Sequence, residues 1–151
     1  MTTTSISRES LRSTIPALDG TLRIAGLDGP VDVVRDSLGI PHVKATTTHD
    51  AFFGQGFVHA QDRLWHMEYD RARALGRWAA YVGPSGLDSD KLTRRLGLAA
   101  SSKADYAALN VETRAMLDAY SAGVNAFIAS TPTLPIEFQL LGVRLDRKSV
   151  V

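Results

Sequence analysis

The sequence predicts an α+β chain, with a few short strands at the N-terminal end followed mostly by helices. Three observations carry this prediction. Between about Leu18 and Ala45, apolar residues alternate with polar ones and turn residues interrupt the runs. From Thr48 to Gly76, apolar residues instead recur at spacings of four and three. A second stripe of helical period follows Asn110 and stops before Pro132 and Pro135.

The strand region reads in three pieces. Leu22 and Ile24 alternate with Thr21 and Arg23, and Asp28-Gly29 then offers a turn in which glycine tolerates a positive φ. Pro30 opens the next run, where a missing N–H is harmless, and Val31 and Val33 alternate with Asp32 before Val34. Pro41 pushes Ile40 toward extended geometry and separates this run from a third, His42 to Ala45.

The long helix is expected to start at Thr48 as N-cap, with Asp50 in its first turn complementing the helix dipole. Phe53, Phe57, Ala60, Leu64, Met67 and Leu75 share one face, Arg71 interrupts it, and Gly76 is a reasonable stop. Gly54 and Gly56 each cost about 1 kcal/mol relative to alanine in a helix interior. They therefore imply close backbone packing there, or a later helix start. Shorter helices should follow. One runs from Arg77 to Val82 and ends at Gly83-Pro84, and another is capped by Asp88-Ser89 from Lys91 onward. The stripe capped by Asn110 presents Met116, Leu117, Tyr120, Val124, Phe127 and Ile128, and Ile136 to Leu141 form a last turn before Gly142.

Composition bounds the function. The 151 residues suffice for one ordinary domain, and 44% hydrophobic with 22% charged residues is the balance of a globular protein. A net charge of +1 gives no electrostatic case for a nucleic-acid or membrane partner. The absence of cysteine excludes disulfides, thiolate metal sites and thiol nucleophiles. Met1 to Pro16 is rich in serine and threonine and lacks the apolar core of a secretory signal, which reads as a cytoplasmic chain.

The residues with chemistry to offer form no motif when taken singly. His42, His49, His59 and His66 include no metal-helix spacing, and Asp62 with His66 at i, i+4 is an ordinary side-chain pair. Gly54-Gln55-Gly56 lacks the lysine and spacing of a phosphate loop, and Gly83-Pro84-Ser85-Gly86 reads as a turn. Asp62, Glu68 and Asp70 alternate with Arg63, Arg71 and Arg73, a pattern of helix ion pairs. Thr2 would become N-terminal if Met1 were removed, yet its polar surroundings offer nothing to hold an attacking hydroxyl.

Taken in order, the blocks say more. Val33-Val34-Arg35-Asp36 and Gly39-Ile40-Pro41-His42-Val43 are followed by Asp50 to Val58, then Ala60-Gln61-Asp62-Arg63-Leu64-Trp65-His66-Met67-Glu68. Arg71, Gly76, Arg77, Asp90, Arg94-Arg95-Leu96-Gly97, Tyr120 to Phe127 and Leu134 to Phe138 continue the series. From about Val31 to Gly142 this order resembles the alpha chains of the penicillin acylase family, most specifically at Ala60 to Leu64.

The resemblance implies an N-terminal-nucleophile hydrolase with an αββα sandwich fold, to which this chain would contribute strands and covering helices. Such precursors cut themselves into alpha and beta chains. The beta chain's new N-terminal serine then attacks the amide of a small N-acyl substrate, with its own α-amine as base. It divides the sequence into a flexible tail at 1–17, an alpha-chain scaffold at 18–142 and a divergent end at 143–151. The family pattern normally continues past Gly142 with a proline, a tryptophan and a helix that lines the acyl pocket and carries a calcium ligand. Val143 to Val151 does not match it. The implied site assignment is therefore no catalytic, substrate-binding or metal-ligating residue in this chain, with the beta chain as partner. Asp62 and Arg63 are expected to hold structure. The alternative is a non-catalytic helical module that binds a partner chain.

Overall fold

A computed structural model describes residues 7–142 of the chain. Its order is α1 (Arg8–Ser13), β1 (Asp32–Arg35), β2 (Pro41–Lys44), α2 (Thr48–Ala74), α3 (Ala79–Val82), a 3-10 turn (Gly83–Gly86), α4 (Leu87–Leu96), α5 (Leu98–Ala108), α6 (Val111–Ser130) and α7 (Ile136–Leu140). Once past the short helix α1, which the sequence reading did not expect, the chain follows the expected α+β order of strands and then mostly helices. No helix among the described residues is long and apolar enough to cross a membrane.

Only two of the three expected strand runs become strands. β1 and β2 pair antiparallel, with Val33 opposite Val43 and Val34 opposite His42. Leu22 to Ile24 keeps an alternating sequence but has no strand neighbour among the described residues, and an unpaired segment has nothing to form a ladder with. Ahead of it, Ser7 caps the short helix α1, its hydroxyl accepting from the Ser10 amide.

The N-cap of α2 is Thr47 and not the expected Thr48. The Thr47 side chain accepts the Asp50 amide at 3.0 Å, a threonine followed three residues on by an acid. The helix bends at Arg63, whose φ of −143° and ψ of 25° lie outside the helical range. α4 begins at Leu87 with Gly86 at its N-cap and no side-chain cap, so the expected cap residues Asp88 and Ser89 lie inside the helix, while the Asp90 carboxylate accepts from the Trp78 and Ala79 amides. Gly97, at φ 67°, separates α4 from α5 in the left-handed conformation that glycine adopts without a Cβ clash. Asn110 caps α6 as expected, accepting the Thr113 amide.

The core lies where α2 crosses α6. Ala60 and Leu64 pack against Val124, Phe127, Ile128 and Phe138, with Phe57 set edge-on to Phe127 at 5.5 Å. Each fully buried large apolar side chain contributes about 1.5–3 kcal/mol relative to exposure. Leu117, expected on this face, is exposed instead, and Ala119 and Gly123 occupy the buried positions. The reason is proximity. A Cβ on Gly56 would lie 2.0 Å from the Tyr120 carbonyl oxygen, and one on Gly123 would lie 1.9 Å from that of Phe53. Close backbone packing is therefore the reason for the glycine at position 56. Gly54 serves the hairpin, since a Cβ there would meet Val43 at 2.8 Å and Val31 at 3.1 Å.

Candidate functional site

Three polar constellations hang on this frame, and the first sits at the start of α2. The chain folds back at Asp28-Gly29 so that both amides point at the Asp50 carboxylate, donating at 2.9 Å each. Asp50 is fully buried, and its Oδ1 also lies 3.0 Å from His49 Nδ1. The Asp28 amide foremost, then His49 and the Gly29 amide, hold the Asp50 carboxyl below the ordinary 3.8 against the opposing effect of burial. Asp28, His49 and Asp50 each offer one ligand atom, all within 4.8 Å of one another. The trio does not fit calcium, which takes six to eight oxygen ligands. It supplies one nitrogen, and both Asp50 oxygens are already committed to main-chain amides. Its fitting role is to tie the loop before β1 to the N-terminus of α2.

The second constellation joins the hairpin to the bend in α2. Arg35 donates to both Asp62 oxygens, at 2.7 and 3.0 Å, and also to Gln61 Oε1 and the Gly39 carbonyl. A bidentate guanidinium–carboxylate pair fixes orientation as well as distance. Asp62 is therefore engaged from β1, and neither by Arg63 nor by His66, the partners that spacing along the helix had suggested. Gln61 Nε2 reaches the Ala17 carbonyl and holds the start of the arm, residues 17–30, that leads into β1.

The third lies beyond the bend. Glu68 is 1% exposed, takes the Arg71 guanidinium in a two-point contact, and accepts a short hydrogen bond from the Tyr81 hydroxyl. Burial first, then the Glu68 carboxylate, pushes the Tyr81 phenol up to about 12. Trp65 meets Phe138 and Tyr81 edge-on, and Trp78 stacks on Tyr81 and meets Tyr69 edge-on, so an aromatic wall surrounds the ion pair.

The histidines do not converge. His42 lies against Asp36, His59 against the Tyr120 hydroxyl at 3.0 Å, and His66 against Asp70 at 3.5 Å. The Ser85 hydroxyl donates to the Val82 carbonyl within the 3-10 turn. Among the described residues, no serine or threonine hydroxyl is hydrogen-bonded to a histidine. Thr2 lies outside the described residues, as does the 143–151 end. Sequence reasoning missed the Asp28–His49–Asp50 group, although Thr47-x-x-Asp50 carried its helix-start signature.

Comparison with known proteins places this frame. Residues 30–149 match the family model for penicillin amidase. A penicillin acylase 2 proenzyme from Pseudomonas sp. strain SE83 is 52% identical over 135 residues, covering 89% of this chain and 17% of that protein. An acyl-homoserine lactone acylase from Pseudomonas aeruginosa is 34% identical over 131 residues, covering 86% of this chain and 16% of its own length. Among solved structures, a thermostable penicillin G acylase from Alcaligenes faecalis superposes with a TM-score of 0.69 at 31% identity, over 78% of this chain and 65% of that one. The chain thus spans about a sixth of the length of the curated relatives it matches, and it belongs to the penicillin amidase family.

Proposed function

We propose that this chain serves as alpha-chain scaffold in an acylase that hydrolyses a linear N-acyl amide, with the nucleophile supplied by the beta chain of the same precursor. The observation that carries the reading is the family match over residues 30–149, in a chain where no described serine or threonine hydroxyl is hydrogen-bonded to a histidine. In this mechanism the beta chain's N-terminal serine adds to the amide carbonyl. Its free α-amine takes the hydroxyl proton and returns it to the departing amine, and water then cleaves the acyl ester. The amine has a suitable basicity near neutral pH, so no histidine is needed. The three polar constellations act on shape: they lock loop to helix, hairpin to helix bend, and α2 to α3. The relatives' names point to acylated β-lactams or acyl-homoserine lactones as the substrate class.

Reconstitution tests the reading. The chain is expressed with the remainder of its acylase and assayed on a chromogenic phenylacetyl amide and a long-chain acyl amide. We expect turnover that disappears when the beta-chain N-terminal serine becomes alanine. Activity that survives that substitution would overturn the proposal.

A further inference from the structure

We infer that α2 is a hinged element whose bend at Arg63 is set from outside the helix, by Arg35 of the hairpin. The position of the hairpin then governs the direction of the helix's C-terminal half.

The helix's own sequence does not account for the bend. Sharp kinks arise at proline, at glycine or serine pairs, at π-bulges, or where a side chain enters the hydrogen-bond ladder. From Ala60 to Met67 the chain reads Ala-Gln-Asp-Arg-Leu-Trp-His-Met, without proline, glycine or serine, and α2 contains no π turn. Alanine, glutamine, arginine, leucine and methionine all propagate a helix well. Yet Arg63 sits at φ −143° and ψ 25°, outside the helical range, with an exposed side chain.

What converges on the bend comes from other segments. Gln61 and Asp62, the two residues just before Arg63, are both gripped from outside the helix. Arg35 donates to the Asp62 oxygens at 2.7 and 3.0 Å and to Gln61 Oε1 at 2.8 Å, and Gln61 Nε2 donates to the Ala17 carbonyl. The Arg35 side chain is only 17% exposed, and its Nη1 is also tied to the Gly39 carbonyl, so the guanidinium has little room to follow the helix. A planar two-point contact dictates the direction in which Asp62 must face.

Past the bend the anchors change. Leu64 enters the core beside Phe138, Trp65 meets Tyr81 and Phe138, and Glu68 holds Arg71 and Tyr81. Two helical halves held by different neighbours and joined at one non-helical residue make a hinge, because a few residues at the joint absorb the change in φ and ψ. The competing cause is the packing of Leu64 against α6, which would keep the bend whatever Arg35 does.

Pulsed dipolar spectroscopy on the full chain separates the two causes. The sequence has no cysteine, so spin labels can be placed alone at Ala74→Cys, at the exposed end of α2, and at Asn125→Cys, on the exposed face of α6. At about 1.5 Å per residue, Leu64 to Ala74 spans about 16 Å, and a swing of about 20° carries its end through about 5 Å. Arg35→Ala and Asp62→Ala should each move the label distance by about that much. Arg63→Ala, which removes a side chain outside the contact, should leave it unchanged. If Arg35→Ala fails to fold, Arg35→Lys carries the test, since it keeps the charge and loses the two-point fork. A folded Arg35 variant with the original distance would overturn the inference and assign the bend to packing on α6. An equal shift in Arg63→Ala would make the bend a local property of the helix and overturn it as well.

Discussion

The crossing of α2 over α6 and the arm-plus-hairpin region spend apolar sequence in opposite ways. At the crossing, Gly56 and Gly123 let main chain touch main chain, and Val124, at 0% exposure, has no solvent face. Around the hairpin, Leu22, Val34, Leu38 and Ile40 all stand exposed on segments that are well placed but thinly covered. The difference teaches that a helix pair can close on itself, since its hydrogen bonds are internal, whereas strands must find neighbours for both edges. One region is closed by its own residues, and the other leaves apolar residues exposed.

Substitutions sharpen that contrast. Gly123→Ala and Gly56→Ala should have the largest effects, about 3 kcal/mol or more each, because the new Cβ meets backbone that cannot rotate away. Thermal unfolding would show the midpoint falling for both. Next comes Glu68→Gln, which removes the buried charge from the two-point contact with Arg71 beside a half-buried phenol, at a cost of about 3 kcal/mol. Asp62→Ala should cost less, about 1 kcal/mol, since its side chain is 30% exposed and its pair with Arg35 is partly solvated. The smallest change, within about 0.5 kcal/mol, belongs to Leu22→Thr in the chain alone. A large loss there in denaturant unfolding would mean the arm is already packed, and the contrast between the two regions would fail.

Protonation gives a second handle. Asp50 is held below its ordinary value, so its charge supports the fold above about pH 3.8, and that support is lost as pH falls through the lower folded value. Asp50→Asn should flatten the acid limb of a stability-against-pH curve. Tyr81 runs the other way. Raised to about 12, it favours the fold below pH 10, and that contribution fades as pH climbs toward 12. Tyr106, hydrogen-bonded to Asp118, and half-buried Tyr120 are raised as well, so ultraviolet titration should find Tyr81, Tyr106 and Tyr120 all ionising late, and Glu68→Gln should bring Tyr81 earlier.

The helices were legible because a period of 3.6 is local. Phe53, Phe57, Ala60 and Leu64 announce their shared face without reference to any other segment. The same locality explains the misreadings. Leu22-Arg23-Ile24 has strand sequence, but a strand needs a partner that these residues cannot specify. Leu117 fits the period of α6, yet its angle around the helix is set by where Gly123 meets Phe53. The family was legible in the order of blocks from Val33 to Phe138. The polar ties were not, because Arg35 to Asp62, Asp28 to Asp50 and Tyr81 to Glu68 each join residues far apart in sequence. Along the helix itself, Asp62 offers only the misleading neighbours Arg63 and His66.

On the function proposed above, these residues supply acylase scaffold and no nucleophile. Purified residues 1–151, assayed alone on a chromogenic phenylacetyl amide and a long-chain acyl amide, test it most directly. No turnover above the uncatalysed rate is expected at any pH between 5 and 9, a range spanning the ordinary titration of an α-amine. Hydrolysis by the chain alone, lost on Thr2→Val, would contradict it and make this chain its own N-terminal-nucleophile enzyme.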